Sequence, residues 1–354
     1  MLYLLIYAVF FPFLCILRLF WRTKSSRVLV IQSAKIGDYA NSSVLFEPLC
    51  GLDVVIDEVN LAFANHDSRI NKAVAINRYK KGLLAKLRLA FMLYFASYER
   101  VYVLLPNSLN LFLARFAMPR RGVVTVYPKG ASKSVKILSL GMQKIPHSTE
   151  NLTLLTYLKM VGVTELKYKK QLQKPLFIPQ DSPIKNSDKF RVGISFSAAN
   201  KIKTPPAKTW QIIFDILKKI ECEIYIFGVK DDDKMLKELD ISGLNLISLV
   251  GRVGLEALPY EIGKMGLYIS SDTGNYYIAD TMGVSTVVLM GPCFASEQRG
   301  VGDTLIVAPV KSLKPFTSVF ATVTDRNCPE YYELDDEHIG EIEEFVRACT
   351  GKYV

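Results

Sequence analysis

The sequence predicts an α/β protein of two domains, each a parallel sheet wrapped by helices. Three observations predict it. Short apolar runs rich in β-branched residues alternate with helical periods along the chain. The alternation stops over residues 173–189 and then restarts. A chain of 354 residues suits two domains better than one. With 50% hydrophobic and 22% charged residues the composition excludes a disordered or collagen-like chain. No period of about 20 to 50 residues recurs, which excludes a solenoid.

Residues 1–17 read MLYLLIYAVFFPFLCIL without a charge, and Arg18, Arg22, Lys24 and Arg27 follow. A secretory signal places its charges before the apolar run and a small-residue cleavage site after it. Here the charges come after, and no A-x-A occurs. The run reaches the lower limit for crossing a bilayer, about 17 to 20 residues. Residues 1–26 therefore read as a membrane-associated segment with a basic flank. It either spans with that flank inside or lies in the interface as an aromatic-rich anchor. Pro12 favours a shallow seat, and a buried core helix is the plainer alternative. Both membrane readings leave the rest of the chain in the cytoplasm.

The first domain covers residues 27–172. Strands are predicted at 28–32, 53–59, 101–105 and 123–127. Residues 33–38 break the first strand, and a helical pattern resumes near Ser42. Residues 66–98 are basic and read as helical, with Leu83, Leu84, Leu87, Phe91, Leu93 and Tyr94 on one face. Residues 173–189 are Pro-rich and polar, a linker. The second domain, 190–332, repeats the pattern. Its strands fall at 191–196, 223–227, 246–249, 266–270 and 284–290, and its helices at 209–220, 255–265 and 275–282. Residues 333–354 form a last helix and tail. Two such domains place ligands at the carboxyl ends of their strands, facing a cleft.

Charge separates the halves. Residues 1–170 hold 24 Lys and Arg against nine Asp and Glu, whereas residues 171–354 hold 20 against 25. A basic first half suits an anionic partner: a phospholipid surface, a phosphorylated glycolipid or a nucleic acid. The apolar N-terminus and the lack of an RNA-stacking motif argue against nucleic acid. The six cysteines form no C-x-x-C pair, and none lies near His66, His147 or His338 in sequence. That spacing argues for free thiols in a reducing compartment and against a zinc site.

Three segments carry chemistry. In Ser271-Asp272-Thr273-Gly274 a strand ends at Asp272, Thr273 caps the next helix and Gly274 makes the turn, an arrangement suited to a diphosphate at a helix N-terminus. An ordinary capped helix explains the segment equally well. In Ile36-Gly37-Asp38 an acid sits in a tight loop at a strand's carboxyl end, placed to take a proton from an acceptor hydroxyl. A plain Gly-Asp turn is the competing explanation. Around Ser197 a strand end of small residues admits a ligand, and Lys208, just before a helix, can meet a phosphate as a point charge. A lone lysine there is more often simply solvated.

Together these segments resemble glycosyltransferase family 9, the ADP-heptose:lipopolysaccharide heptosyltransferases, from about residue 27 to 310. The resemblance rests on Ile36-Gly37-Asp38, Lys208-Thr209-Trp210, Gly228, Leu255-Glu-Ala-Leu258, Ser271-Asp272-Thr273-Gly274-Asn275-Tyr276-Tyr277 and Gly291-Pro292. It implies a GT-B fold of two Rossmann-like domains facing a cleft, with the last helix crossing back to the first. It implies inverting transfer without metal or cofactor, from a nucleotide sugar such as ADP-heptose to the lipopolysaccharide inner core, at the cytoplasmic face of a bacterial inner membrane. Asp38 would be the general base. Ser197, Lys208, Gly228, Asp272, Thr273, Gly274 and Tyr277 would hold the donor, with Lys208 also offsetting charge on the leaving diphosphate. Two positions depart from the pattern. Tyr277 replaces the signature histidine, and Lys230 or Asp231 falls where the family has an acid near the ribose. These departures keep open a membrane-attached binding or assembly protein that has lost turnover.

Overall fold

The computed structural model describes residues 2–20, 26–185, 187–196, 198–230, 232–323 and 326–351. Its contacts divide the chain into two units, Met1–Pro175 and Leu176–Val354.

The first unit has helices α1 (Leu2–Phe20), α2 (Ile36–Ser42), α3 (Leu61–Ala64), α4 (Leu83–Phe95), α5 (Ser108–Phe116), α6 (Lys133–Leu138) and α7 (Thr153–Met160). Its strands are β1 (Val28–Gln32), β2 (Leu52–Ile56), β3 (Ile70–Ala75), β4 (Arg100–Val103), β5 (Val123–Pro128) and β6 (Gln143–His147). They form one sheet in the order β3-β2-β1-β4-β5-β6. Every pairing is parallel. The central strands are apolar runs because helices cover both faces of a parallel sheet: all of β2 is buried.

The second unit repeats the plan. Its strands are β7 (Arg191–Ser195), β8 (Glu223–Ile226), β9 (Asn245–Ser248), β10 (Leu267–Ser271), β11 (Ser285–Leu289) and β12 (Thr304–Val307). They run β12-β11-β10-β7-β8-β9, the same doubly wound order seen from the other side. Its helices are α8 (Ala207–Leu217), α9 (Asp232–Lys237), α10 (Leu258–Ile262), α11 (Gly274–Met282) and α12 (Asp336–Gly351). In each sheet the chain reverses its winding beside the first strand, between β1 and β4 and between β7 and β10. Such switch points open a crevice beyond the strand ends.

The structure corrects one expectation and adds to two others. Residues 66–98 are not one helix: Ile70–Ala75 is the edge strand β3, and α4 starts only after Gly82, whose φ of +76° stops a helix from passing through. As an edge strand, β3 leaves Asn71 and Lys72 exposed, so it lacks the apolar run of a central strand. Helix α12 packs on α8 and β12, with Ile342, Val346 and Cys349 in the second unit's core. Helix α1, left open in the sequence between a membrane segment and a core helix, is partly taken into the core. Ile6 and Leu14 are buried in the first unit's core, with Tyr3, Tyr7, Phe10 and Leu17 packed beside them.

Candidate active site

The densest polar cluster among the predicted residues lies at the switch point of the second sheet. Strand β10 ends at Ser271, and Asp272 follows, 5% exposed. Lys203 Nζ donates to one oxygen of Asp272 at 2.6 Å, and the Tyr277 hydroxyl donates to the other at 2.6 Å. Burial by itself raises a carboxyl pKa. The Lys203 charge, with hydrogen bonds from Lys203 and Tyr277, outweighs it and holds Asp272 below its ordinary value. The same burial pushes the Tyr277 hydroxyl and the Cys293 thiol well up, and the Asp272 charge adds to both shifts. The cluster is thus an ionised carboxylate neutralised by one lysine, with a tyrosine and a thiol that stay protonated.

The neighbouring backbone is set for an anion. Thr273 is extended, with φ −129° and ψ 171°, and Gly274 is the first residue of α11. Thr273 is therefore the N-cap residue of α11. Thr273 also makes no side-chain cap bond; its hydroxyl pairs with Ser270 Oγ at 3.1 Å. The first amides of α11 are consequently not taken up by a capping side chain, and the helix dipole adds partial positive charge at that end. Asn275, one residue on, donates from Nδ2 to Ser195 Oγ at 2.9 Å. Ser195 Oγ also donates to the Phe227 carbonyl at 3.1 Å, so the ends of β7 and β8 and the start of α11 are tied together.

The loop bearing Lys203 is braced at several points. Asn200 accepts from the Ile202 amide and donates to the Val323 carbonyl at 2.9 Å. The Tyr332 hydroxyl donates to the Ile202 carbonyl at 3.0 Å. Tyr332 can approach because Gly291, at φ +56°, has no Cβ: one built there would meet the tyrosine oxygen at 2.2 Å. That is the physical role of the glycine in Gly291-Pro292.

The remaining predicted residues fall as follows. Lys208 is exposed in the first turn of α8. Ser197 lies outside the described residues. Gly228 leaves room for Asp232, whose carboxylate accepts from the Val229 amide at 2.8 Å and would lie 2.2 Å from a Cβ at position 228. Lys230 is exposed, and Asp231 lies outside the described residues. Tyr277 is 1% exposed and its hydroxyl is directed at Asp272, so its observed contact is with that carboxylate.

In the first unit Asp38 sits in the first turn of α2, after a link of only three residues from β1, rather than in a loop ahead of a later helix. An acid in a first turn suits the helix dipole. The link is pinned by Asn60 on the Ala34 carbonyl at 2.9 Å and Asn110 on Ser33 Oγ at 2.8 Å. Lys35 pairs with Asp57 at 3.1 Å.

Sequence reasoning missed Lys203, Asn275 and Cys293. Lys203 had one signal, a basic residue in the loop after a small-residue strand end. The contacts of Asn275 and Cys293 depend on partners far along the chain. A cavity of about 460 Å³ opens elsewhere in this unit, between the chain around Pro179 and the residues around Gly254, and no predicted site residue lines it. Among the described residues no group of three or more His, Cys, Asp or Glu could hold a metal ion.

Residues 138–311, which take in β7 to β12 and this cluster, match the family model of glycosyltransferase family 9 (heptosyltransferase). The chain carries a glycosyltransferase family 9 (heptosyltransferase) domain. It is a glycosyltransferase, with the GT-B fold. Comparison with curated protein sequences gives no match. Among solved structures the chain is similar to a family 9 glycosyltransferase from Veillonella parvula, with TM-score 0.71, 15% identity, and 94% of this chain and 99% of that one covered. It is similar to E. coli ADP-heptose lipopolysaccharide heptosyltransferase II, with TM-score 0.68, 15% identity and coverages of 92% and 99%. It is similar also to E. coli heptosyltransferase WaaC with ADP, with TM-score 0.65, 15% identity and coverages of 91% and 99%.

Proposed function

We propose that this glycosyltransferase moves heptose from ADP-heptose to the inner core of lipopolysaccharide or lipooligosaccharide, at the cytoplasmic face of a bacterial inner membrane. One observation carries the reading: Asp272, buried and neutralised by Lys203, adjoins the uncapped start of α11 inside the family match. An unneutralised carboxylate would repel a diphosphate; this one is matched by a cation. The two E. coli neighbours, described with ADP and as an ADP-heptose enzyme, support the donor.

In this reading the transfer is a single displacement with inversion. An acceptor oxygen bonds to the anomeric carbon while the bond from that carbon to the diphosphate oxygen breaks, and the electron pair leaves with ADP. Asp38 takes the acceptor proton. Lys208 and the opening amides of α11 offset the charge that develops on the leaving diphosphate, with no metal required for that task. Asp272 orients the turn, and Tyr277 positions Asp272 in place of the signature histidine. Gly228, two residues beyond β8, flanks the donor, and Ser197 is a further donor contact in this reading.

The test is purified protein with ADP-heptose and core oligosaccharides truncated stepwise, with product mass measured. A product one heptose heavier is expected on one truncation. ADP binding without product on any acceptor would favour the binding protein without turnover, the reading that Tyr277 and Lys230 keep in view.

A further inference from the structure

Helix α1 has two apolar faces with different neighbours. The inner face lies along α5 and α4 from end to end. Tyr3 stacks on Phe112 with ring centres 5.0 Å apart, and Phe10 meets Phe91 edge-on at 5.5 Å. The Tyr94 hydroxyl donates to the Leu14 carbonyl at 2.7 Å. The outer face is uncovered: Leu2, Leu5, Val9, Phe13 and Ile16 are each more than half exposed, and Leu19 and Phe20 are 82% exposed. At the end of α4 that lies beside Tyr3, Leu84 is 83% exposed. An apolar row of this length on a water-soluble surface marks a binding face.

Charge identifies the partner. Lys81 and Arg88 are exposed on and beside α4. Lys86 lies over the Tyr3 ring at 5.9 Å, and Arg115 over the Tyr7 ring at 5.4 Å. Cations beside an apolar aromatic row match an anionic lipid surface. The same cations exclude a spanning helix. Because α1 is bound to α4 and α5 along its length, a crossing α1 would draw Lys86, Arg88 and Arg115 into the hydrocarbon. Each charge there disfavours the state by about a hundredfold.

We infer that α1 lies in the plane of the membrane interface, its outer face seated in an anionic leaflet together with Leu84, and does not cross the bilayer. This deepens the reading of a membrane-facing enzyme and rests on it for the membrane concerned. The seat is monotopic, so one edge of the first unit is held at lipid headgroup level.

The test uses the full chain. Flotation with phosphatidylcholine vesicles, with and without phosphatidylglycerol, should show binding that needs the anionic lipid and weakens with salt. Leu84→Glu and Val9→Glu, both at exposed positions, should each lower binding at least about fivefold, the change expected for one charge at such a surface. Transfer to a soluble core oligosaccharide should be unchanged in both. An N-terminal tag should be digested in sealed inverted inner-membrane vesicles. A tag protected until detergent is added would overturn the in-plane seat while leaving attachment standing. Absence of vesicle binding, or a dimer in solution that Leu84→Glu dissolves, would overturn the lipid partner. Transfer measured in parallel shows whether the transferase reading survives either result.

Discussion

Replacing Lys203 by methionine keeps the length of the side chain and removes the cation from Asp272. The carboxylate is 5% exposed and would keep only the Tyr277 hydroxyl and its thiol neighbour. Breaking a buried ion pair on one side costs about 3–5 kcal/mol. The Lys203 side chain is 24% exposed, so water reaches the pair and the lower part of the scale applies, about 2–3 kcal/mol. The loss should depend on pH. With Lys203 present the folded-state pKa of Asp272 is depressed, so the pair's contribution is full above the unfolded carboxyl pKa and is lost as pH falls through the folded value. Without Lys203, burial raises the pKa, and the variant recovers stability by taking up a proton as pH falls. The gap between the two proteins should therefore narrow from pH 7 towards about pH 4, near the ordinary Asp value. Urea unfolding followed by tryptophan fluorescence can read this in the right unit, because Trp210 is fully buried against Phe196. A Trp21→Phe background removes the other tryptophan of the chain. A gap below about 0.5 kcal/mol at pH 7, or one that does not change with pH, would refute the reasoning.

Asp38→Asn should lower single-turnover transfer by roughly 100- to 10,000-fold while ADP affinity stays near wild type; a rate within about threefold would clear Asp38 of the base role. Lys208→Ala should weaken ADP binding about tenfold in calorimetry, and more at low salt, as expected for a charge-assisted contact. Unchanged affinity at both salt levels would move the diphosphate away from α8. Tyr277→Phe removes a hydrogen bond to a buried carboxylate and should destabilise the second unit by about 1.5–3 kcal/mol. Tyr277→His restores the donor and the family residue, so it should recover transfer. Equal loss in both variants would count against a hydrogen-bonding role.

The sequence by itself determined the two-domain α/β plan, because central parallel strands are buried on both faces and must be apolar runs, as in residues 28–32 and 191–195. It also determined the segment from Ser271 to Tyr277, where a strand end, an acid and a helix start are consecutive residues. Of the four edge strands only β9 was legible: β3, β6 and β12 are each only partly buried, and in β3 and β6 polar residues break the apolar pattern. Only the tertiary structure decided that the cation on Asp272 is Lys203, 69 residues away, and that Tyr277 serves that carboxylate. Only it decided that one face of α1 is protein-bound and the other uncovered, since both faces are apolar and no period in the sequence separates them. Local pattern records which surfaces must leave water. Which partner covers each surface depends on contacts between residues far apart in the chain, and those exist only once the sheets have formed.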